Sequence, residues 1–305
     1  MKFPVNWGSS ERLAVQPRLK RTAQIIGVLL LAGALQGCSL IKIAYNQATE
    51  LAYWQLDAYL AFNAEQSTKV REELNRTLAW HRQTQLPAYI ASLQEWQAWL
   101  PGELDEAQAC EIVNDVRAKL LAISDRGESA AAALVGTLAP EQLKTMRRKF
   151  SSLNQEYRSD FLDDTPSALL EKRFKKAVSR AEMLYGSLEE KQLTLLRSRL
   201  AQSMFDAQVS LAEHQRRQRD ALSTLAPLIA VRANADQAAP ALRAYFERSI
   251  NSPNPAYRVY QDQLLRDGCK TFSALHNSTN AAQRAKALQT LIGYEQDFKL
   301  LAAQR

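Results

Sequence analysis

This chain has no Gly-x-Ser-x-Gly elbow, no Gly-x-x-x-x-Gly-Lys loop and no Gly-x-Gly-x-x-Gly turn, and only ten glycines in 305 residues. The serine-hydrolase, P-loop and dinucleotide-binding chemistries that need those turns are thereby excluded. Histidine and cysteine number three each. His81, His214 and His276 stand far apart, without cysteine or carboxylate neighbours at ligand spacing, so a metal motif is excluded and no cofactor is expected. No run alternates apolar and polar residues as a half-buried strand requires. A long apolar run is also lacking. The uncharged stretch Thr22–Leu35 is fourteen residues, short of the roughly 20 that span a bilayer.

That short run is nevertheless informative. Arg18, Lys20 and Arg21 precede it and Leu35-Gln36-Gly37-Cys38 closes it. A basic head, an apolar centre and a small-residue end make a bacterial export signal, and Leu-x-Gly-Cys resembles a lipobox. Residues 1–37 are therefore expected to be a lipoprotein signal peptide, and Cys38 the acylated N-terminus of a periplasmic domain over 38–305. The alternative is an uncleaved membrane anchor. Ser39 in place of Asp after the cysteine favours the outer membrane, facing the periplasm. Acyl chains contribute about 0.8 kcal/mol per buried CH₂, so several chains anchor stably without a spanning helix.

The net charge of +7 is mostly in that leader, which carries five Lys/Arg against one Asp/Glu. Residues 38–140 sum to −5, and 141–200 and 201–305 to +4 each. Solvated helix faces account for such asymmetry. The sharper reading is a basic surface for an anionic envelope partner, carried by Arg147, Arg148, Lys175 and Lys176. Nucleic acid is not an expected partner in the periplasm. Cys110 and Cys269 remain after Cys38, and an even pair in an oxidising compartment suggests a disulfide. The alternative is two buried thiols.

The fold class is all-α, an antiparallel bundle or stack. About ten helices are expected, over 40–61, 64–85, 88–99, 104–134, 140–163, 166–185, 188–222, 236–250, 254–276 and 280–302, with stops at Pro87, Pro101-Gly102, Gly136, Pro140, Pro166, Gly186, Pro227, Pro240 and Pro253/Pro255. A soft subdivision falls near 135–140, where the charge changes sign. Leu193, Leu196, Leu200, Met204, Ala207 and Leu211 form one helical stripe. Short breaks at 164–166 and 186–188 predict that 140–163, 166–185 and 188–222 stack antiparallel, burying Phe150, Phe174 and Leu200.

One local pattern recurs at Asn63–Gln66, Ala139–Gln142, Glu189–Gln192 and Asn280–Gln283, each before a long helix. The glutamine three residues after the cap position can reach back to the cap backbone, as in a capping box. Only the Asn63 and Asn280 copies offer a good cap side chain. These starts resemble the Leu-Thr-x-x-Gln motif of periplasmic chaperones of the spheroplast protein Y type. A broader resemblance rests on Tyr45-Asn46, Tyr53-Trp54-Gln55-Leu56-Asp57, Tyr59, Phe62, Glu65-Gln66, Trp80-His81-Arg82, Leu86-Pro87-Ala88-Tyr89 and the later Leu275–Thr279, Gln283 and Tyr294-Glu295. With the lipobox these are similar to a family of proteobacterial lipoproteins designated only as a domain of unknown function. The resemblance implies an exported helical lipoprotein and transfers no catalytic residues.

Four of the five tryptophans fall between 45 and 99. In the 40–61 helix, Lys42, Asn46, Glu50 and Asp57 make a narrow polar stripe on an otherwise apolar cylinder. Either that helix is core, with Trp54 as a packing unit, or part of its face rests at the membrane or lines an apolar pocket. His81, between Trp80 and Arg82 and near Asp57, Glu65, Glu72 and Glu73, is the one residue placed for general-base work, against a satisfied helical histidine. His214 opens a polar run read as a solvated helix end. His276 lies near a helix C-terminus, where a cation is favoured. The expected function is a non-enzymatic interaction, scaffold or chaperone-like module of the envelope. Trp54, Asp57, Trp80, His81, Arg82 and Tyr89, or the basic residues above, would form its binding surface. The alternatives are a binder of lipid or another apolar ligand and a hydrolase using His81.

Overall fold

The computed structural model describes residues 40–304. The expected signal segment 1–37 and Cys38 lie outside the described residues. Among those described the chain forms twelve α-helices and no strand: α1 Leu40–Asn46, α2 Ala48–Leu60, α3 Ala64–Trp80, α4 Leu86–Trp99, α5 Glu106–Val135, α6 Pro140–Phe161, α7 Pro166–Tyr185, α8 Glu190–Gln202, α9 Ala207–Ala230, α10 Ala235–Ile250, α11 Pro255–Asn277 and α12 Ala281–Ala302. Contacts separate the chain up to Tyr45 from a unit spanning Asn46–Arg305. No described helix is long and apolar enough to cross a membrane.

Helix starts follow local chemistry. Asn63, Asp105, Asn234 and Asn280 accept the backbone N–H three residues on, and the glutamine there returns the bond. Pro166 and Pro255 occupy first turns behind Thr165 and Asn254 caps. Other prolines do not stop helices as the sequence predicts. Pro227 and Pro240 lie inside α9 and α10. At Pro87 the helix continues from α3 into α4 through a single π turn, His81–Gln85. Proline lacks the N–H for an i−4 bond and crowds the i−4 carbonyl, and the wider π turn just before it accommodates the change in register.

Two main cores result. The first gathers Leu60, Val135, Leu138, Met146, Ile229 and Leu242 from α2, α5, α6, α9 and α10. The second gathers Leu93, Phe174, Tyr185, Leu196, Leu275 and Leu291 from α4, α7, α8, α11 and α12. The 30-residue α5, about 45 Å long, joins them. Its C-terminal end packs in the first core, and its N-terminal end meets α11 in a small third cluster around Leu104, Ala109 and Cys269. There Cys110 and Cys269 are bridged, with Cα atoms 5.0 Å apart. The turn at 136–139 lies within the first core, since Val135 and Leu138 are both buried. Between α4 and α12, the Glu295 carboxylate takes Lys299, Gln97 and Gln94 at 2.6, 2.7 and 2.8 Å, which pull its pKa to about 2.

The predicted three-helix stack is not what forms. α6 packs on α2 and α9 in the first core, whereas α7 packs on α8 and α12 in the second. Phe174 is buried, but Phe150 and Leu200 are only partly so, and Phe150 belongs to the other core. The expected 188–222 helix is also two helices. Asp206 caps α9 by accepting from Gln208 and Val209, Tyr260 Oη accepts the Asp206 N–H at 2.8 Å, and Met204 is exposed.

The recurring glutamines do more than cap. Gln66 and Gln142 exchange amide hydrogen bonds at 3.2 and 2.9 Å. Gln66 Nε2 also donates to Thr137 O, and Gln142 Nε2 to Leu60 O. Gln192 and Gln283 repeat this at 2.7 and 2.9 Å, donating to Ser278 O and Ser187 O. Each amide oxygen also accepts its own cap N–H. Two clasps thus lock helix corners together in pairs, α2–α3 to α5–α6 in the first core and α7–α8 to α11–α12 in the second. All four amides are buried, and every donor and acceptor is used.

Gly136, in the corner of the first clasp, sets a close approach. A Cβ there would stand 2.1 Å from the Ala233 carbonyl oxygen. Since that atom is backbone, the α9–α10 turn would have to move. Gly136→Ala is expected to destabilise by about 1–3 kcal/mol, read as a lowered urea midpoint with an unchanged slope.

Candidate functional site

His81 opens the π turn. Its Nε2 lies 3.1 Å from the Tyr89 hydroxyl, and the two rings meet edge-on at 5.2 Å. Trp80 flanks it at 6.3 Å, and Tyr89 packs edge-on against Phe298 of α12. Burial lowers the His81 pKa and raises that of Tyr89, so both are neutral at pH 7 and orient one another as uncharged partners. The acidic residues near His81 in sequence are engaged elsewhere. Asp57 accepts the Phe62 N–H at 2.8 Å, Glu65 pairs with Lys69, and Glu72 and Glu73 pair with Arg76. Arg82 donates to Asn46 at 3.3 Å.

Tyr89 also lines a pocket of about 260 Å³ between α4, α5 and α12. Leu93, Trp96, Leu120, Tyr294 and Phe298 make most of its wall. Its polar groups are Ser92 and Lys119, whose ammonium donates to Ser92 Oγ at 2.7 Å and pairs with Asp115.

The basic residues singled out from the sequence are exposed and spread over α6 and α7. Lys176 lies over the Phe161 ring, fourteen residues and so about 20 Å along α6 from Arg147. Arg148 is exposed and donates to Thr145, and Lys175 is exposed on α7. Arg147 instead belongs to a groove of about 540 Å³ between α6 and α9. One continuous face of α6 supplies Arg147, Phe150, Ser151, Asn154, Gln155 and Arg158, and α9 supplies Gln215, Gln218, Arg219 and Leu222. Asn154 and Gln218 exchange amide hydrogen bonds across it at 2.8 and 3.0 Å. The lining holds three guanidinium groups and no carboxylate. Arg158 and Arg219 were missed in the sequence because the groove pairs helices 64 residues apart.

Two corrections concern polar residues read as solvated. The run after Glu213 is not a helix end but the middle of α9. Glu213 is buried and takes Arg216, Arg217 and Ser252, while Asp220 takes Arg216 and Arg248. The i, i+3, i+4 spacing of Glu213, Arg216 and Arg217 was the available signal. His276 is not a helix-end cation. It is fully buried, accepts from the Tyr185 hydroxyl at Nδ1 (3.0 Å) and donates from Nε2 to Gly102 O (3.0 Å). That assignment uses both ring nitrogens of a neutral imidazole.

Burial lowers the pKa of His276, and of His81 likewise. The unfolded chain therefore binds more protons than the folded one below about pH 6.5. Stability is full above that value and falls as pH drops towards the folded values. Between pH 7.5 and 5.5 one fully suppressed histidine accounts for at most about 1.4 kcal/mol. The urea midpoint should therefore fall over this range, and an unchanged midpoint would contradict the neutral, buried His276.

Among the described residues no cluster of His, Cys, Asp or Glu could hold a metal ion. No curated protein and no solved structure matches the chain. A family of unknown function does, over residues 58–258, from the last turn of α2 to the start of α11. The match takes in the α2–α3 and α5–α6 corners, the π turn at His81 and the whole α6–α9 groove, so the chain belongs to the family of unknown function DUF6279.

Proposed function

We propose that this chain is a lipid-anchored helical interaction module of the bacterial envelope, scaffold-like or chaperone-like rather than enzymatic. Acyl chains on Cys38 hold it to the periplasmic face of the outer membrane, and the α6–α9 groove takes an acidic segment of a partner protein. The observation that carries this is the groove's wall, in which Arg147, Arg158 and Arg219 face a cleft without a carboxylate. Arg147 and Arg158 stand eleven residues apart on one helix, about 16 Å, a span suited to several carboxylates in a row rather than to one small anion. Guanidinium groups bind carboxylates bidentately, and the amides between them supply further donors.

Reversing Arg147, Arg158 and Arg219 to Glu should abolish co-purification of the partner from native membranes, with helicity and unfolding midpoint kept. Binding by the unaltered protein should weaken as salt shortens the screening length from about 10 Å at 0.1 M. Salt-insensitive binding, or binding retained by the reversed variant, would reject the groove.

A second reading, a binder of an apolar ligand, draws on the aromatic pocket beside Tyr89 and Trp96. It ranks lower because 260 Å³ is at the small end for ligand sites. The hydrolase reading has less support still, since Asp57, Glu65, Glu72 and Glu73 are engaged away from His81.

A further inference from the structure

Helix α2 carries more apolar surface than it buries: Leu60 and Tyr59 pack in the first core, and a second uncharged face is left over. Surface helices place apolar residues against the core and charges outside. The charged residues of α2 do not lie on that second face but engage α3 and the turn before it, with the Glu50 side chain still 42 % exposed. Glu50 pairs with Arg71 of α3, Asp57 accepts the Phe62 N–H, and Tyr53 shares a hydrogen bond with Ser67 and lies under the Arg71 guanidinium. The outward face is Leu51, Trp54, Gln55 and Ala58, at i, i+3, i+4 and i+7, all exposed and none charged. Leu51 is 51 % and Trp54 61 % exposed.

We infer that this face of α2 rests on the phospholipid surface of the membrane that carries the anchor. Three observations select that occupant. The stripe is uncharged, so it offers nothing to a charged partner and everything to an interface that is apolar on one side. Its largest member is tryptophan, whose amphipathic ring favours the membrane–water boundary. Leu51 also follows Cys38 by thirteen residues, and even a fully extended chain of that length spans only about 45 Å. The contact would fix how the domain stands on the membrane, which a flexible acyl tether alone does not do. This inference rests on the anchor reading above.

The mature lipoprotein beginning at Cys38, purified from membranes, is reconstituted into phosphatidylcholine vesicles with or without bromine on the acyl chains, and flotation and tryptophan emission are read together. Brominated lipid should quench the emission, and the quenching should vanish in Trp54→Phe, because Trp80, Trp96 and Trp99 are half-buried. Leu51→Gln should weaken the quenching without changing helicity, and 0.5 M salt should leave it unchanged. Vesicles that float with protein but show equal emission in both lipids overturn the contact and leave the anchor standing. Protein that does not float overturns both. Quenching that salt removes would assign the approach to charge and overturn the apolar face.

Discussion

Gln192→Met should destabilise the fold by roughly 3–5 kcal/mol, far more than the same change at a glutamine that only caps. Methionine keeps the length and apolar volume but cannot hydrogen-bond in this way. The substitution strands one donor and one acceptor of the buried Gln283, and the partly buried Glu189 N–H and Ser278 carbonyl, around a fully buried side chain. Each buried unpartnered group costs about 1–3 kcal/mol. Gln237 is the control. It makes the same capping bond but is exposed and reaches across to nothing, so Gln237→Met should cost about 1 kcal/mol or less. In a double-mutant cycle, Gln192→Met and Gln283→Met together should cost about 1–3 kcal/mol less than the sum of the singles, because neither amide is then stranded by the other. Additive effects in urea titrations would mean that the clasp does not couple the corners.

The second large effect is expected from the disulfide. Cys110 and Cys269 close a loop across 159 positions, for which the chain-entropy model allows about 4–5 kcal/mol and measured cases usually give 2–4. Cys110→Ala with Cys269→Ala should lower the urea midpoint by that order. Thiol titration of the untreated denatured protein should find no free thiol at these two positions. Two titrating thiols there, or a midpoint that ignores reductant, would count against a bridge in the protein as it exists. Because the bridge ties the start of α5 to α11, its loss should act first on the third cluster around Leu104 and Phe272.

The elements most legible in the sequence are those whose ends carry their own chemistry. α7 runs from Pro166 to Tyr185 as the proline and Gly186 dictate, and α12 starts beside Asn280 with its returning glutamine. Apolar spacing misled where it ran on past a local stop. The stripe from Leu193 to Leu211 is unbroken in period, yet α8 ends at Gln202, Asp206 caps a new helix, and Met204 is left in solvent. Proline misled in the opposite direction at Pro87, Pro227 and Pro240, where the surrounding fold tolerates it within helical segments. The glutamines were recognisable as caps at four sites, and the equivalent boxes at Asp105 and Asn234 went unread. What no local pattern holds is which corner clasps which, since Gln66 and Gln142 lie 76 residues apart and Gln192 and Gln283 lie 91 apart. The same limit hid the groove, because α6 meets α9 across two intervening helices. The polar stripe of α2 was visible, but which side of it met protein was not.

The order in which the chain visits its two cores has a consequence for cooperativity. The first core takes residues near 60, then 132–146, then 229–242. The second takes residues near 93–100, then 174–196, then 275–291. The two sets interleave, so no single cut separates one core from the other, and neither can be excised as a contiguous fragment. Each must wait for segments synthesised after parts of its neighbour. Partial unfolding that frees one core therefore drags on the covalent path of the other. The molecule should melt as one unit and yield to protease all at once rather than by shedding a stable half.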